Sequence, residues 1–169
     1  MDTVETASRV DPITLEVVRN KLEGIAEEMQ LTLLRSSFSP IVKEGMDCSA
    51  GLFTRDGQTL SQATSIPTHL ATLIPAMAAV LAAFPPETMA EGDAYLLNDP
   101  YCGGTHLPDL AVFVPILVDG AIVAFSATMV HHQDVGGMAA GSIPTNATEI
   151  FQEGIRIPPL KLLDRGAPN

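Results

Sequence analysis

The dipeptide Asp119-Gly120 is the feature that most constrains the fold, because it separates two apolar runs of strand length. Asp-Gly favours the two-residue turn of a β-hairpin, in which both central residues need a positive φ angle. The sequence therefore predicts an antiparallel pair of strands over residues 110–118 and 121–130. A tight turn between strands of equal length brings the flanking residues Asp109 and His131 side by side.

Two helices are predicted before this hairpin. Asp11 and Pro12 are typical of a helix start, and apolar residues then recur at spacings of three and four as far as about Arg35. We interpret this stripe as core packing rather than as a cofactor-binding face. Its members are Leu15, Val18, Leu22, Ile25 and Met29. A second helix, poor in charge and therefore largely buried, is expected over residues 69–84 and ends before Pro85-Pro86.

Shorter strands complete the prediction. Residues 49–54 and 58–62 form a second expected hairpin around Arg55-Asp56-Gly57, and residues 94–97 form a strand that leads into a polar loop. The predicted fold class is α+β. It has a long amphipathic N-terminal helix, a second buried helix, and antiparallel hairpins that form a sheet.

Histidine and aspartate cluster at the two ends of the main hairpin. His106 lies three residues before Asp109, His131 lies three residues before Asp134, and a Gly-Gly pair accompanies each cluster. Such glycines let the backbone approach a ligand closely. Imidazole and carboxylate groups are common metal ligands and acid/base groups. The pattern indicates a metal site or a proton-transfer site, with His106, Asp109 and His131 as ligands; the alternative is loop histidines with capping aspartates.

Residues 98–109, Asn-Asp-Pro-Tyr-Cys-Gly-Gly-Thr-His-Leu-Pro-Asp, and residues 131–137, His-His-Gln-Asp-Val-Gly-Gly, carry a family resemblance. They resemble the B subunit of the hydantoinase/oxoprolinase family. That family includes N-methylhydantoinases, 5-oxoprolinases, lactamases acting on cyclic amides, and the related acetone and acetophenone carboxylases. Residues 11–18, 43–53 and 66–70 resemble further family segments, so the resemblance extends over residues 11–163.

The resemblance implies a metal-assisted site. It adds Asp47 to His106, Asp109 and His131 as a ligand of zinc or manganese, although a mixed oxygen and nitrogen set also suits Fe²⁺. It favours His131 over His132, because the family pattern fixes the histidine three residues before the aspartate. A partner A subunit would use ATP to phosphorylate a small cyclic amide or ketone. This chain would then assist ring opening or, in the carboxylases, capture of carbon dioxide; a non-catalytic fragment is the third possibility.

Other residues near the site have open roles. Asp134 is predicted to orient a ligand or to carry protons, and His132 is a second catalytic candidate. Asp99 is either a catalytic residue or an ordinary turn residue. His69 either caps the second helix or faces the site, and we favour the local role at the helix start. Cys48 and Cys102 are expected to be small buried hydrophobes, with a thiol role as the alternative.

Charge and composition exclude several function classes. Nine lysines and arginines stand against 20 acidic residues, so nothing here matches a row of nucleic-acid phosphates. No phosphate-binding loop is present, so ATP is expected to bind the partner A subunit. No apolar run reaches the ~18 residues of a membrane span, no secretory signal is evident, and two cysteines suit a reducing cytoplasm.

The chain is shorter than the subunits it resembles. Residues 1–10 are expected to be a flexible lead, residues 11–163 the N-terminal part of a hydantoinase B-like domain, and residues 164–169 a loop at a truncated or split end. Only 17% of residues are charged and 46% are hydrophobic, which is apolar for an isolated domain. We therefore expect the fold to be incomplete without the remainder of the B subunit.

Overall fold

A seven-stranded antiparallel sheet forms the centre of the computed structural model, which describes residues 10–169. The strands in chain order are β1 (Cys48–Thr54), β2 (Thr59–Gln62), β3 (Ala94–Leu97), β4 (Asp109–Val118), β5 (Ala121–His131), β6 (Leu160–Asp164) and β7 (Ala167–Pro168). Their order across the sheet is β2-β1-β5-β4-β3-β6-β7. The two long strands therefore lie near the middle, with β1 beside β5.

Three helices accompany the sheet: α1 (Pro12–Ser36), α2 (Pro40–Lys43) and α3 (Pro67–Ala83). The carboxylate of Asp11 accepts a hydrogen bond from the Thr14 N–H at 3.0 Å, which caps α1 as its sequence predicts. The second predicted helix is also confirmed, but it begins at Pro67, two residues before the predicted start. The predicted α+β class is thus confirmed. Over residues 10–169, neither α1 nor any other helix combines the length and the apolarity needed to cross a membrane.

The main hairpin forms around the predicted turn, where Asp119 and Gly120 have φ angles of 51° and 78°. Its register is not continuous. Leu117 pairs with Ile122, but Ile116 pairs with Ala124, so Val123 is an extra residue that forms a β-bulge. Beyond the bulge the strands pair regularly up to Asp109 and His131.

The hydrophobic core lies between α3 and one face of the sheet. Alternate residues of β4 and β5 point into it, as the period of a half-buried strand requires. The buried residues of this cluster are Phe53, Leu73, Ala76, Met77, Val80, Met89, Tyr95, Leu97, Ala111, Phe113, Phe125, Ala127 and Met129. Strand β1 is buried along almost its entire length.

The prediction that the apolar stripe of α1 packs in the core is wrong for its N-terminal half. Leu15 and Val18 are 60% and 48% exposed. Only Ala26 and Gln30 of α1 are buried, because the helix contacts β1 and β2 mainly through its C-terminal half. The first half of α1 therefore presents an apolar surface that residues 10–169 do not cover.

The chain end also differs from the prediction. Residues 164–169 were expected to form a loop, but β6 and β7 pair as a short hairpin with Arg165 and Gly166 in the turn at φ angles of 49° and 84°. The completely buried Asp93 anchors this hairpin: its carboxylate accepts hydrogen bonds from Lys161 Nζ at 2.9 Å and from the Arg165 N–H at 3.0 Å. Of the predicted flexible lead over residues 1–10, residues 1–9 lie outside the described part.

Candidate metal centre

Acidic and imidazole side chains lie together at one end of three adjacent strands. Asp47 immediately precedes β1, His131 ends β5, and Asp109 begins β4. The His131 N–H donates to the Asp47 carbonyl oxygen at 3.1 Å, and Asp109 is the cross-strand partner of His131. The strand order β1-β5-β4 therefore places residues far apart in sequence next to each other.

His106 joins this group from the loop before β4. Its Nε2 lies 3.2 Å from Asp109 Oδ1 and 3.2 Å from His131 Nδ1, and the last two atoms are 2.9 Å apart. Bonds of about 2.0–2.2 Å to one ion would space neighbouring donor atoms by roughly 3–3.5 Å. The three atoms therefore have the spacing expected of ligands that share one cation.

Asp47 lies beside this group. Its Oδ2 lies 3.8 Å from His131 Nδ1, and its buried Oδ1, 3.4 Å from His69 Nε2, makes no hydrogen bond of ordinary geometry with residues 10–169. A buried carboxylate oxygen in this state is costly unless a positive charge or a further donor compensates it. The donors thus fit a divalent cation, and carboxylate oxygen with imidazole nitrogen suits Zn²⁺, Mn²⁺ or Fe²⁺.

His69 also lies in this site, so the favoured local role is wrong and the alternative, that His69 faces the site, agrees with the structure. It occupies the first turn of α3, is 5% exposed, and places Nε2 3.3 Å from Asp109 Oδ2 and 3.4 Å from Asp47 Oδ1. The residue before α3 is Ile66, so no side chain caps this helix. Periodicity shows only that His69 begins a helix, whereas the packing of α3 on the sheet decides what it faces.

The electrostatics of the cluster favour an ionised Asp109. Burial opposes its ionisation, but hydrogen-bonding interactions with His106, His69 and Thr105 outweigh burial and hold the pKa of Asp109 far below its usual range. The interaction with Asp109 in turn raises the pKa of His106, although burial opposes the shift. Without a cation, the negative charge of Asp109 is therefore compensated by imidazole protons.

Asn98 fixes the loop that carries His106, a role that sequence reasoning missed. The side chain is completely buried; Nδ2 donates to the carbonyl oxygens of Leu107 at 2.7 Å and Ile155 at 2.9 Å, and Oδ1 accepts from the Ile157 N–H at 2.7 Å. All these bonds cross to other segments. The available signal was an amide side chain directly after an apolar strand.

Gly103 lets the same loop pass close to α3. Its φ angle is 95°, and a Cβ atom there would lie 2.5 Å from the carbonyl carbon of Pro75. Only glycine accommodates both the left-handed conformation and this approach. The first Gly-Gly pair thus serves packing between loop and helix.

Asp99 has the contacts of a turn residue. It is completely buried, accepts from the Tyr101 N–H at 2.9 Å, and pairs with Arg156 Nε at 2.8 Å. Burial opposes its ionisation, but Arg156 and the Tyr101 N–H lower the pKa of Asp99 below its usual value. Its hydrogen bonds among the described residues thus do not include His106, Asp109 or His131. A catalytic role for Asp99 stays a prediction.

Asp134 organises its own loop. Its carboxylate accepts hydrogen bonds from the N–H groups of Gly136 and Gly141 and from the Ser142 hydroxyl, at 2.8, 3.0 and 2.9 Å. These bonds lower the pKa of Asp134, the Gly136 N–H most of all. Within the described part of the chain, its hydrogen bonds do not extend to His131. Ligand orientation or proton transfer by Asp134 stays a prediction.

His132 lies outside the ligand cluster. Its side chain is exposed and lines a groove of about 670 Å³ together with Phe38, Asp134 and His131. Partial burial of the ring, followed by the neighbouring His131, lowers the pKa of His132. A catalytic role for His132 stays a prediction, but this placement suits a proton acceptor beside the cluster.

The two cysteines are free and remain thiols. Cys48 is completely buried, and burial followed by the charge of Asp47 raises its pKa. Burial and then Asp99 raise the pKa of Cys102. Only a thiolate is a good nucleophile, so both environments disfavour a thiol role. Cys48 fits the expected role of a small buried hydrophobe, whereas Cys102 is only half-buried.

Comparisons with known proteins add a family context. Residues 11–169 match the family model described as hydantoinase B/oxoprolinase. The chain is 41% identical over 157 residues to the caprolactamase subunit beta of Pseudomonas jessenii, and 36% identical over 165 residues to 5-oxoprolinase 1 of Arabidopsis thaliana. It covers 27% and 13% of their lengths, so it corresponds to a minor part of each relative.

Solved structures agree with this likeness. The crystal structure of the ATP-dependent caprolactamase from Pseudomonas jessenii matches 95% of this chain with a TM-score of 0.85 at 38% identity, and 28% of that chain is covered. The nucleotide-free structure of an acetone carboxylase also gives a TM-score of 0.85, covering 95% of this chain and 21% of that one. At 23% identity, the second likeness is one of fold.

Proposed function

Because the chain belongs to the hydantoinase B/oxoprolinase family, we propose that it is a B-subunit component of an ATP-dependent cyclic amide hydrolase. Its site would take a divalent cation, with zinc or manganese as the first candidates. The substrate class is a small cyclic amide of the hydantoin, 5-oxoproline or lactam type.

One observation carries the proposal: His106 Nε2, Asp109 Oδ1 and His131 Nδ1 lie within 3.2 Å of one another at the sheet edge. These three side chains, with Asp47, would hold the cation. A bound cation would polarise a substrate carbonyl group or lower the pKa of water. Side chains around the neighbouring groove would bind the substrate and transfer protons.

The groove beside His131 supplies a binding volume and a base. It is lined by Ser37, Phe38 and His132 among others, and Phe38 is 98% exposed. The ring of Phe38 offers an apolar surface to the methylene groups of a small ring. His132, whose pKa is lowered by burial, would accept a proton from an attacking water molecule and return one to the departing nitrogen.

ATP would be handled by a partner subunit. Lysine and arginine are absent from the described residues that line this groove, and few side chains of this chain could compensate a triphosphate. The A-like partner would transfer a phosphoryl group from ATP to the carbonyl oxygen of the cyclic amide and release ADP. At this site water would add to the activated carbon, the ring C–N bond would break, and a second water molecule would hydrolyse the resulting acyl phosphate and release phosphate. Further polypeptide would cover exposed apolar residues of α1 such as Leu15 and Val18.

A ketone carboxylase subunit is the alternative. The likeness to caprolactamase at 41% identity favours the hydrolase, whereas the likeness to acetone carboxylase concerns the fold. The two activities differ in the bond that forms. Hydrolysis forms a C–O bond with water, whereas carboxylation forms a C–C bond with the carbon atom of bicarbonate.

The test is an assay of the chain reconstituted with an A-like subunit. In a parallel arm, the same mixture also contains polypeptide equivalent to the rest of the longer relatives. Hydantoin, 5-oxoproline and caprolactam are supplied with ATP, and acetone with ATP and bicarbonate. We expect ATP-dependent ring opening that needs both subunits and is lost in His106→Ala. Ketone carboxylation alone, or micromolar ATP binding by the isolated chain, would contradict the proposal.

A further inference from the structure

The two carboxylates of the site share a neighbour that the proposed ligand set does not include. His69 Nε2 lies 3.4 Å from Asp47 Oδ1 and 3.3 Å from Asp109 Oδ2, so it is almost equidistant from them. Its side chain is buried and enters from α3, whereas the carboxylates come from the sheet. His69 thus links the helix layer to the two acidic side chains.

The two oxygens of Asp109 have different surroundings. Oδ1 faces His106 Nε2 at 3.2 Å and His131 Nδ1 at 2.9 Å. Oδ2 accepts a hydrogen bond from the Thr105 hydroxyl and faces His69. One oxygen is therefore directed toward the proposed cation, and the other toward hydrogen-bond donors, as is usual for ligating carboxylates.

The surroundings of Nδ1, the second ring nitrogen of His69, indicate whether Nε2 binds a cation or donates a hydrogen bond. A histidine that binds a cation through Nε2 carries its proton on Nδ1, and this N–H almost always donates to a carboxylate, a carbonyl group or water. His69 Nδ1 is buried, and it makes no hydrogen bond with any group among residues 10–169. Protonation at Nδ1 would therefore leave a buried donor unpaired.

We propose that His69 is a positioning residue whose Nε2–H is shared between Asp47 Oδ1 and Asp109 Oδ2, and that it is not a metal ligand. A shared N–H makes two longer contacts rather than one short one, in agreement with the distances of 3.3 and 3.4 Å. The shared proton holds the two carboxylates in register, so that Asp109 Oδ1 stays directed at the cation. This inference rests on the proposed metal-binding function.

Substitutions separate the two roles. In His69→Gln the amide nitrogen takes the approximate place of Nε2, whereas in His69→Asn it reaches only the place of Nδ1. We expect His69→Gln to bind one Co²⁺ per chain with an affinity within about 3-fold of wild type. His69→Asn should lose about 10–100-fold in affinity, as is typical when a partner of a metal ligand is removed. Both should keep the visible Co²⁺ absorption spectrum of wild type, because the ligand set is unchanged.

A ligand role would give a different result. If His69 bound the ion, His69→Gln would change the Co²⁺ spectrum and weaken binding as much as His69→Asn, and either result would overturn the inference. Circular dichroism and thermal melting show whether each variant folds. Should His69→Asn fail to fold, His69→Gln alone still decides the outcome through its spectrum.

A measurement without metal keeps this inference separate from the proposed function. Two-bond ¹H–¹⁵N correlation spectra of the metal-free chain, at a pH where the ring is neutral, report which ring nitrogen carries the proton. We expect the Nε2–H tautomer of His69, and the Nδ1–H tautomer would refute the positioning role. A wild-type chain that shows the Nε2–H tautomer but takes up no Co²⁺ would instead refute the proposed metal site.

Discussion

Asp109 and His131 are cross-strand partners, and Asp109 Oδ1 lies 2.9 Å from His131 Nδ1. The residues are the first of β4 and the last of β5, so a hairpin brings them together. Asp47 lies on the other side of His131, because β1 pairs with β5. Two paired strands thus supply Asp109 and His131, Asp47 directly precedes a third strand, and His106 lies in the loop before β4.

Metal content should distinguish His106 from His132. Changing His106 to Ala removes one of three mutually adjacent donor atoms, so we expect metal affinity to fall by more than about 100-fold, beyond the loss typical of an outer residue. His132→Ala is the matched control, because His132 lines the groove outside the cluster, and we expect a change of less than about 3-fold. Elemental analysis after dialysis measures both. Metal lost in His132→Ala and retained in His131→Ala would show that the wrong histidine of the pair was assigned.

Metal removal should destabilise the chain. A ligand that binds only the folded state adds about 2.7 kcal/mol when its free concentration is 100 times Kd. For a domain of this size that corresponds to about 5–10 °C in Tm. We expect a chelator to lower the Tm of wild type by this amount and to leave His106→Ala almost unchanged. Equal melting temperatures with and without chelator in wild type would contradict a folded-state cation site.

The approach of Gly103 to α3 can be measured by a pair of alanine substitutions. Gly103 and Gly120 both have positive φ angles, 95° and 78°, but only at Gly103 would a Cβ atom meet backbone within 4 Å. Gly120→Ala should cost about 1 kcal/mol for its conformation alone. Gly103→Ala should cost roughly a further 1–3 kcal/mol, which is the cost of overpacking a core. Urea unfolding measures the difference, and equal costs would show that the loop moves away from Pro75 freely.

Asp93 should make stability acid-sensitive. Burial opposes its ionisation, but the Lys161 side chain and the N–H groups of Arg165 and Ala90 lower the pKa of Asp93 well below 3.8. A depressed carboxyl pKa adds stability that is present above the unfolded-state value and is lost as the pH falls through the folded-state value. We expect Asp93→Asn to lower the free energy of unfolding by about 3 kcal/mol at pH 7, because Lys161 loses its buried partner. The difference from wild type should shrink below about pH 4.

Asp164→Asn is the matched control for this prediction. Asp164 pairs with the same Lys161 at 3.2 Å, but its side chain is 57% exposed, and exposed pairs contribute about 0–1 kcal/mol.

At high pH, Tyr95 should give the stability of the chain a pH dependence of the opposite sign. Burial and the neighbouring Asp93 raise the pKa of Tyr95 to about 12, so its stabilisation is present below pH 10 and is lost as the pH rises through about 12.

A urea-unfolding series from pH 2 to pH 8 tests the contribution of Asp93. Parallel curves for wild type and Asp93→Asn would refute the acid-sensitive contribution.

The sequence alone determined the parts of this protein that depend on local interactions. Asp119-Gly120 sets the hairpin turn because few dipeptides accept two positive φ angles, and Asp11 with Pro12 sets the start of α1 because its first N–H groups need an acceptor. Histidine and aspartate at both ends of the predicted hairpin also indicated that the two clusters converge. These features need only a few neighbouring residues.

The tertiary structure decided the strand register, the exposure of α1 among the described residues, and the position of His69. Two strands in uninterrupted register from the turn would pair Asp109 with Val130, whose side chain lies on the opposite face from that of His131. The extra residue Val123 shifts the pairing by one, and His131 therefore faces Asp109. A bulge of this kind depends on how the whole sheet twists and packs. Likewise, the stripe of α1 is apolar in sequence, but only the folded structure shows that residues 10–169 leave its first half exposed. His69 reaches Asp47 and Asp109 because α3 packs across the sheet, a contact between segments that no local pattern encodes.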